Sequence, residues 1–98
     1  MIRMTPRAAE KFKADLQTKS LPESTLLRVD VARGNQEREM RLMLVFDTDE
    51  PSDDDETRIT EGARLAVNKS LAQALGNAQL DYLEKAGGFV LQRVKPLQ

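Results

Sequence analysis

The 98-residue sequence contains no cysteine and no histidine. Without thiolate or imidazole it has no soft metal ligand beyond methionine thioethers, no disulfide and no thiol nucleophile, and no side chain whose ordinary pKa lies near neutrality. Aromatics are scarce as well, three Phe and one Tyr, too few for the stacking platforms on which nucleic-acid-binding modules seat bases. No apolar run approaches the roughly 20 residues of a membrane span. The opening Met1-Ile2-Arg3-Met4-Thr5-Pro6 lacks the apolar core of a secretory signal. These absences predict a cytoplasmic protein of one domain, residues 1–98, with neither a membrane nor a nucleic acid as partner.

Charge is nearly balanced at −1 but unevenly placed. Residues 47–56, Asp-Thr-Asp-Glu-Pro-Ser-Asp-Asp-Asp-Glu, hold seven acids and no base, so the rest of the chain sets nine acids against fifteen bases. Carboxylate oxygens suit calcium or magnesium, yet the register from Asp47 and that from Asp53 both lack the third ligand and the glycine of an EF-hand loop. The segment is expected to be a solvated, mobile loop that keeps adjoining strand edges from pairing with other chains.

Hydrophobic periodicity lays out the elements. Thr5-Pro6 starts a helix, with threonine as N-cap and proline at a position that needs no amide donor. Ala9, Phe12 and Leu16 form its apolar stripe, since they recur at three- and four-residue steps. Leu27-Arg28-Val29-Asp30-Val31 alternates as a half-buried strand does, and Gly34-Asn35 turns it into a return strand from Met40 to Phe46. That strand is apolar on both faces, with Met40, Leu42, Leu44 and Phe46 on one and Met43 and Val45 on the other. The second face needs cover, from a helix, another sheet or another subunit.

After the acidic loop come a short strand at Thr57-Arg58-Ile59, a turn at Glu61-Gly62 and a strand through Ala63, Leu65 and Val67. Asn68 caps a second helix that Gly76 ends in a left-handed conformation. Two last strands, near 79–84 and 89–94, are joined by the flexible Lys85-Ala86-Gly87-Gly88. About seven strands and two helices make a mainly β, α+β domain with helices packed on a sheet face.

No catalytic constellation emerges. The candidate acids and bases are carboxylates, lysines and Tyr82, and no spacing pairs a nucleophile with a base. Tyr82 reads as a sheet-face residue, and Gly87-Gly88 lacks the helix and Lys-Ser/Thr of a phosphate-binding loop. The chain is expected not to be an enzyme.

Several segments, taken in order, resemble the HesB/IscA-like domain of A-type iron–sulfur cluster carriers. They are Ile2-Arg3-Met4-Thr5-Pro6-Arg7-Ala8-Ala9-Glu10-Lys11, Leu27-Arg28-Val29-Asp30-Val31, Leu65-Ala66-Val67-Asn68-Lys69-Ser70-Leu71, Leu80-Asp81-Tyr82-Leu83-Glu84 and Gly87-Gly88-Phe89-Val90. The resemblance implies a HesB-like β-sandwich and a role connected with iron–sulfur cluster assembly. It also implies ligand cysteines that are not here. The family's hairpin-turn cysteine falls nearest Gln36 within Arg33-Gly34-Asn35-Gln36-Glu37-Arg38-Glu39, and its Cys-Gly-Cys tail corresponds to Gln92-Arg93-Val94-Lys95-Pro96-Leu97-Gln98. Iron–sulfur clusters require thiolates, occasionally imidazole, so no metal or cofactor ligand carries over to this chain.

The sequence therefore points to a degenerate, ligand-free member with a non-catalytic role in protein interaction or regulation. The alternatives are cluster assembly with ligands supplied by a partner, and a weak metal or polyanion binder. Gln36, Glu37, Arg38 and Glu39, a charged hairpin tip where the family has its ligand turn, form the candidate partner-binding turn. Met43 and Val45 are the candidates for self-association as a homodimer.

Overall fold

Thr5 opens the first helix as expected: its hydroxyl oxygen accepts from the Ala8 amide at 3.1 Å, and Pro6 takes the first helical position. In the computed structural model, which describes residues 2–33 and 40–93, the chain order is β1 (Ile2–Met4), α1 (Pro6–Thr18), β2 (Leu26–Arg33), β3 (Met40–Asp47), β4 (Asp55–Thr60), β5 (Ala63–Asn68), α2 (Lys69–Leu75), β6 (Ala78–Leu83) and β7 (Gly88–Arg93). Seven strands and two helices among the described residues make the mainly β, α+β architecture read from the sequence.

The strands form two mixed sheets. The smaller has the order β1-β6-β7, with β1 parallel and β7 antiparallel to β6. The larger has the order β3-β2-β5-β4, in which only the central pair, β2 with β5, is parallel. One core joins them. Leu27, Val29, Leu65 and Val67 from the larger sheet meet Ile2, Met4 and Leu80 from the smaller, together with Ala8, Ala9, Phe12 and Leu16 of α1. α1 packs on β6 and β5, one strand from each sheet, and the Phe12 ring meets Phe46 edge-on with centroids 5.2 Å apart.

Three local expectations are refined. Asn68 caps α2 by accepting from the Ser70 amide, but Gly76 ends it at φ 66°, ψ −138°, away from the left-handed helical region and in backbone space that favours glycine. Lys85 and Ala86 lie in a short 3-10 turn (Glu84–Ala86), which Gly87 closes at φ 81°. Phe89 is half-buried at the margin of the core, its ring set edge-on to Tyr82 at 5.2 Å.

Candidate functional site

The proposed partner-binding turn, Gln36, Glu37, Arg38 and Glu39, lies outside the described residues. Met43 and Val45 lie within them, on a surface built by strand register. Pairing aligns Val45 with Arg28, Arg28 with Ala66 and Ala66 with Thr57. Since alternate residues share a sheet face, Met43, Val45 and Asp47 of β3 lie with Leu26, Arg28 and Asp30 of β2. Arg64, Ala66 and Asn68 of β5 and Asp55, Thr57 and Ile59 of β4 lie on that face too. It is the face turned away from Leu27, Val29, Leu65 and Val67, hence from the core.

Two residues of this outer face are nonetheless fully buried, Leu26 and Ala66. Topology gives the reason. β3 and β4 run in the same direction at opposite edges, about 14 Å apart at three strand spacings. The chain leaves β3 at Asp47, level with Leu26, and enters β4 at Asp55, level with Asn68. It must therefore cross the sheet. It crosses on the outer side, because both ends are held there by one side chain: Arg28 Nε donates to Asp47 Oδ2 at 2.9 Å, and its two terminal nitrogens donate to the Asp55 carboxylate at 2.8 and 3.0 Å. The small Ala66 lets the arginine reach over β5 to β4.

The acidic segment is thus a strap pinned across the sheet, and the expectation of a wholly solvated, mobile loop is corrected for its ends. Asp55 keeps only 4% of its side chain exposed. It also accepts from the Ser52 amide at 3.0 Å, while the Lys69 amide donates to the Asp54 carbonyl at 2.8 Å. The Arg28 guanidinium, helped by the Ser52 amide, pulls the Asp55 carboxyl down to about 2. Asp47 is lowered first by the Asp49 amide and then by Arg28. Asp49, Glu50, Asp53 and Asp54 stay exposed. Neither helix covers Met43 or Val45, each 45% exposed.

A second polar cluster secures α1. Asp81, side chain 9% exposed, accepts from Thr5 Oγ1 at 2.7 Å, from Arg7 Nε and a terminal Arg7 nitrogen at 3.1 and 2.7 Å, and from the Tyr82 amide at 2.8 Å. The hydrogen bond from Arg7, then that from Thr5, holds this carboxyl well below the usual carboxylate range. Beside it an open groove of about 720 Å³ runs between the Arg7, Lys11 and Ala14 side of α1 and Tyr82 to Lys85. Lys11 lies over the Tyr82 ring, 5.3 Å from its centroid. Tyr82 is a half-buried sheet-face residue, as expected. Arg7 and Lys11 are already engaged, by Asp81 and Asp15, so the cluster reads as a clasp between helix and sheet.

Among the described residues, no three His, Cys, Asp or Glu side chains converge as a metal site. The whole sequence offers no thiolate and no imidazole, only oxygen and nitrogen groups and four methionine thioethers, a set that does not fit an iron–sulfur cluster.

Two mixed sheets sharing a core with α1, β1 parallel to β6 and a strapped four-stranded sheet, define an α+β sandwich that known structures share. The fold matches a crystal structure of IscA with a [2Fe–2S] cluster at TM-score 0.73 and 24% identity, covering 98% of this chain and 86% of that one. It matches Escherichia coli SufA, involved in biosynthesis of iron–sulfur clusters, at 0.65 and 21%, covering 93% and 81%. A solution structure of a protein from Aquifex aeolicus matches at 0.70 and 22%, covering 97% and 91%. No curated protein matches the sequence. The family model for iron-sulphur cluster biosynthesis matches residues 1–97, and the chain belongs to that family.

Proposed function

We propose that this member of the iron–sulphur cluster biosynthesis family ligates no cluster itself and acts as a non-catalytic protein-interaction or regulatory module in the cytoplasm. The observation that carries the reading is chemical: the family pattern extends over residues 1–97 while the sequence holds neither cysteine nor histidine. A cluster bound by carboxylates and amides alone would lack the soft donors that sulfide-bridged iron requires. Anaerobic incubation of the purified chain with ferrous iron and sulfide tests this. No charge-transfer absorbance is expected on the chain, and a visible spectrum that co-elutes with it would overturn the reading.

Retention of the family frame supports one alternative, in which a partner supplies the thiolates. Repeating the reconstitution with a cysteine-bearing family member separates the two. A cluster that forms only on the mixed complex, and in greater yield than on the added protein alone, favours the alternative.

A further inference from the structure

The strap crosses the outer sheet face with little to hold it down along its length. From Thr48 to Asp54 Pro51 is half-buried and the other residues are exposed. Several of its hydrogen bonds are turn contacts that travel with the segment: the Ser52 amide donates to the Asp55 carboxylate, the Asp55 amide to the Ser52 carbonyl and the Asp54 amide to Ser52 Oγ. The side-chain bonds that fasten both ends to the sheet, among the described residues, come from Arg28. A segment with few buried apolar contacts and one shared anchor sits at the low end of local stability. Its charge lowers that stability further, because residues 47–56 hold seven acids and no base.

What lies beneath is separate from the core. Leu26 and Ala66 are fully buried, yet they face away from the cluster that joins the two sheets and take no part in it. Arg64 stands beside Leu26 in register and is tethered away from the strap, donating to the Ser24 carbonyl at 3.0 Å. Arg28 stands beside Ala66, so access to Ala66 follows the pin. If the strap lifts, Leu27, Val29, Leu65 and Val67 keep their packing against α1 and the smaller sheet on the opposite face.

We propose that residues 48–54 form a lid, which lifts from the outer face as one unit when Arg28 releases Asp47 and Asp55 while both sheets and α1 stay folded. Closed, the lid and its arginine keep Ala66 from solvent. Open, they join it to the exposed Met43 and Val45 on the same face and free the guanidinium. The lid goes beyond the interaction reading above and stands whether or not that reading does.

Because the chain has no native cysteine, a single introduced thiol is the one group a thiol reagent labels. Ala66→Cys places it beneath the strap, and Ala9→Cys makes the same change at another fully buried alanine, in the core. Both chains are treated with excess aromatic disulfide reagent across urea concentrations below the unfolding transition. Ala66→Cys should react about tenfold faster than Ala9→Cys or more, at a rate nearly independent of urea, because a local opening exposes little surface. The rate for Ala9→Cys should climb steeply with urea, as global unfolding requires. Adding Arg28→Met should speed the urea-independent labelling of Ala66→Cys by about tenfold or more, since one charge-assisted hydrogen bond is worth about that factor. The Lys69 amide, which donates to the Asp54 carbonyl, gives a reading with no substitution beneath the strap. Its hydrogen exchange in the cysteine-free chain should also be insensitive to urea and about tenfold faster in Arg28→Met. Equal rates and equal urea slopes at the two thiols would overturn the lid, as would Lys69 exchange that follows global unfolding or a local opening that Arg28→Met leaves unchanged.

Discussion

Replacing Arg28 by methionine tests the strap most directly, because methionine keeps an unbranched apolar stem over Ala66 while removing every donor to Asp47 and Asp55. In the parent, Asp55 is almost wholly out of solvent and accepts two hydrogen bonds from the guanidinium. Losing one partner of a buried pair leaves the other charge uncompensated, which costs about 3–5 kcal/mol when burial is deep. Arg28 itself keeps 25% of its side chain exposed, and the Ser52 amide remains on Asp55, so about 2–3 kcal/mol is expected at pH 7. The depressed Asp55 carboxyl expresses the same interactions, the Arg28 hydrogen bonds first and the Ser52 amide second. Lowering Asp55 from 3.8 to about 2 corresponds to about 2 kcal/mol of linked stability. A depressed carboxyl contributes fully above its unfolded pKa and loses that contribution as pH falls through the folded value. Urea denaturation of parent and Arg28→Met at pH 7, 4 and 2 should therefore show a deficit that is largest at pH 7 and shrinks between pH 4 and 2. A deficit below about 0.5 kcal/mol at pH 7, within the range of an ordinary surface change, would refute the clamp. A deficit equal at pH 7 and pH 2 would show that packing, rather than the ion pair, was lost.

Within the strap, Asp53→Asn with Asp54→Asn should leave the denaturation midpoint nearly unchanged, whereas adding Asp55→Asn should lower stability by about 1–3 kcal/mol. Thr25 is fully buried and its hydroxyl has no hydrogen-bond partner among the described residues; Thr25→Val should raise stability by about 1 kcal/mol in the same assay. Phe12→Ala should cost about 3–5 kcal/mol and Phe89→Ala about 1–2 kcal/mol, because Phe12 is fully enclosed and Phe89 half-exposed. Thr5→Ala removes both the helix cap and a donor to Asp81 and should lower stability by about 1–2 kcal/mol, seen as a lower thermal midpoint.

The elements that were legible in the sequence are those whose causes are local. Thr5-Pro6 and the Ala9, Phe12, Leu16 spacing determine α1 within one stretch of chain, and Asn68 with Gly76 delimit α2 in the same way. The candidate site depends on separation. Arg28 meets Asp55 27 residues away, and the need for a crossing strap follows only once β3 and β4 are known to be parallel at opposite edges. Summed by composition, seven acids in ten residues repel one another and favour water. Position changes that sum, because two of the seven fall where one outward-facing arginine can reach both, and those two fasten the remainder across the sheet. The apolar strand shows the converse. Alternation assigned Leu44 and Phe46 to the core and identified Met43 and Val45 as a face needing cover, yet it could not tell whether a helix would arrive. Both helices bury their stripes in the shared core, and the strap shields Leu26 and Ala66 at the middle of the sheet. Met43 and Val45, on the outer face at the β3 edge, are left exposed by these elements.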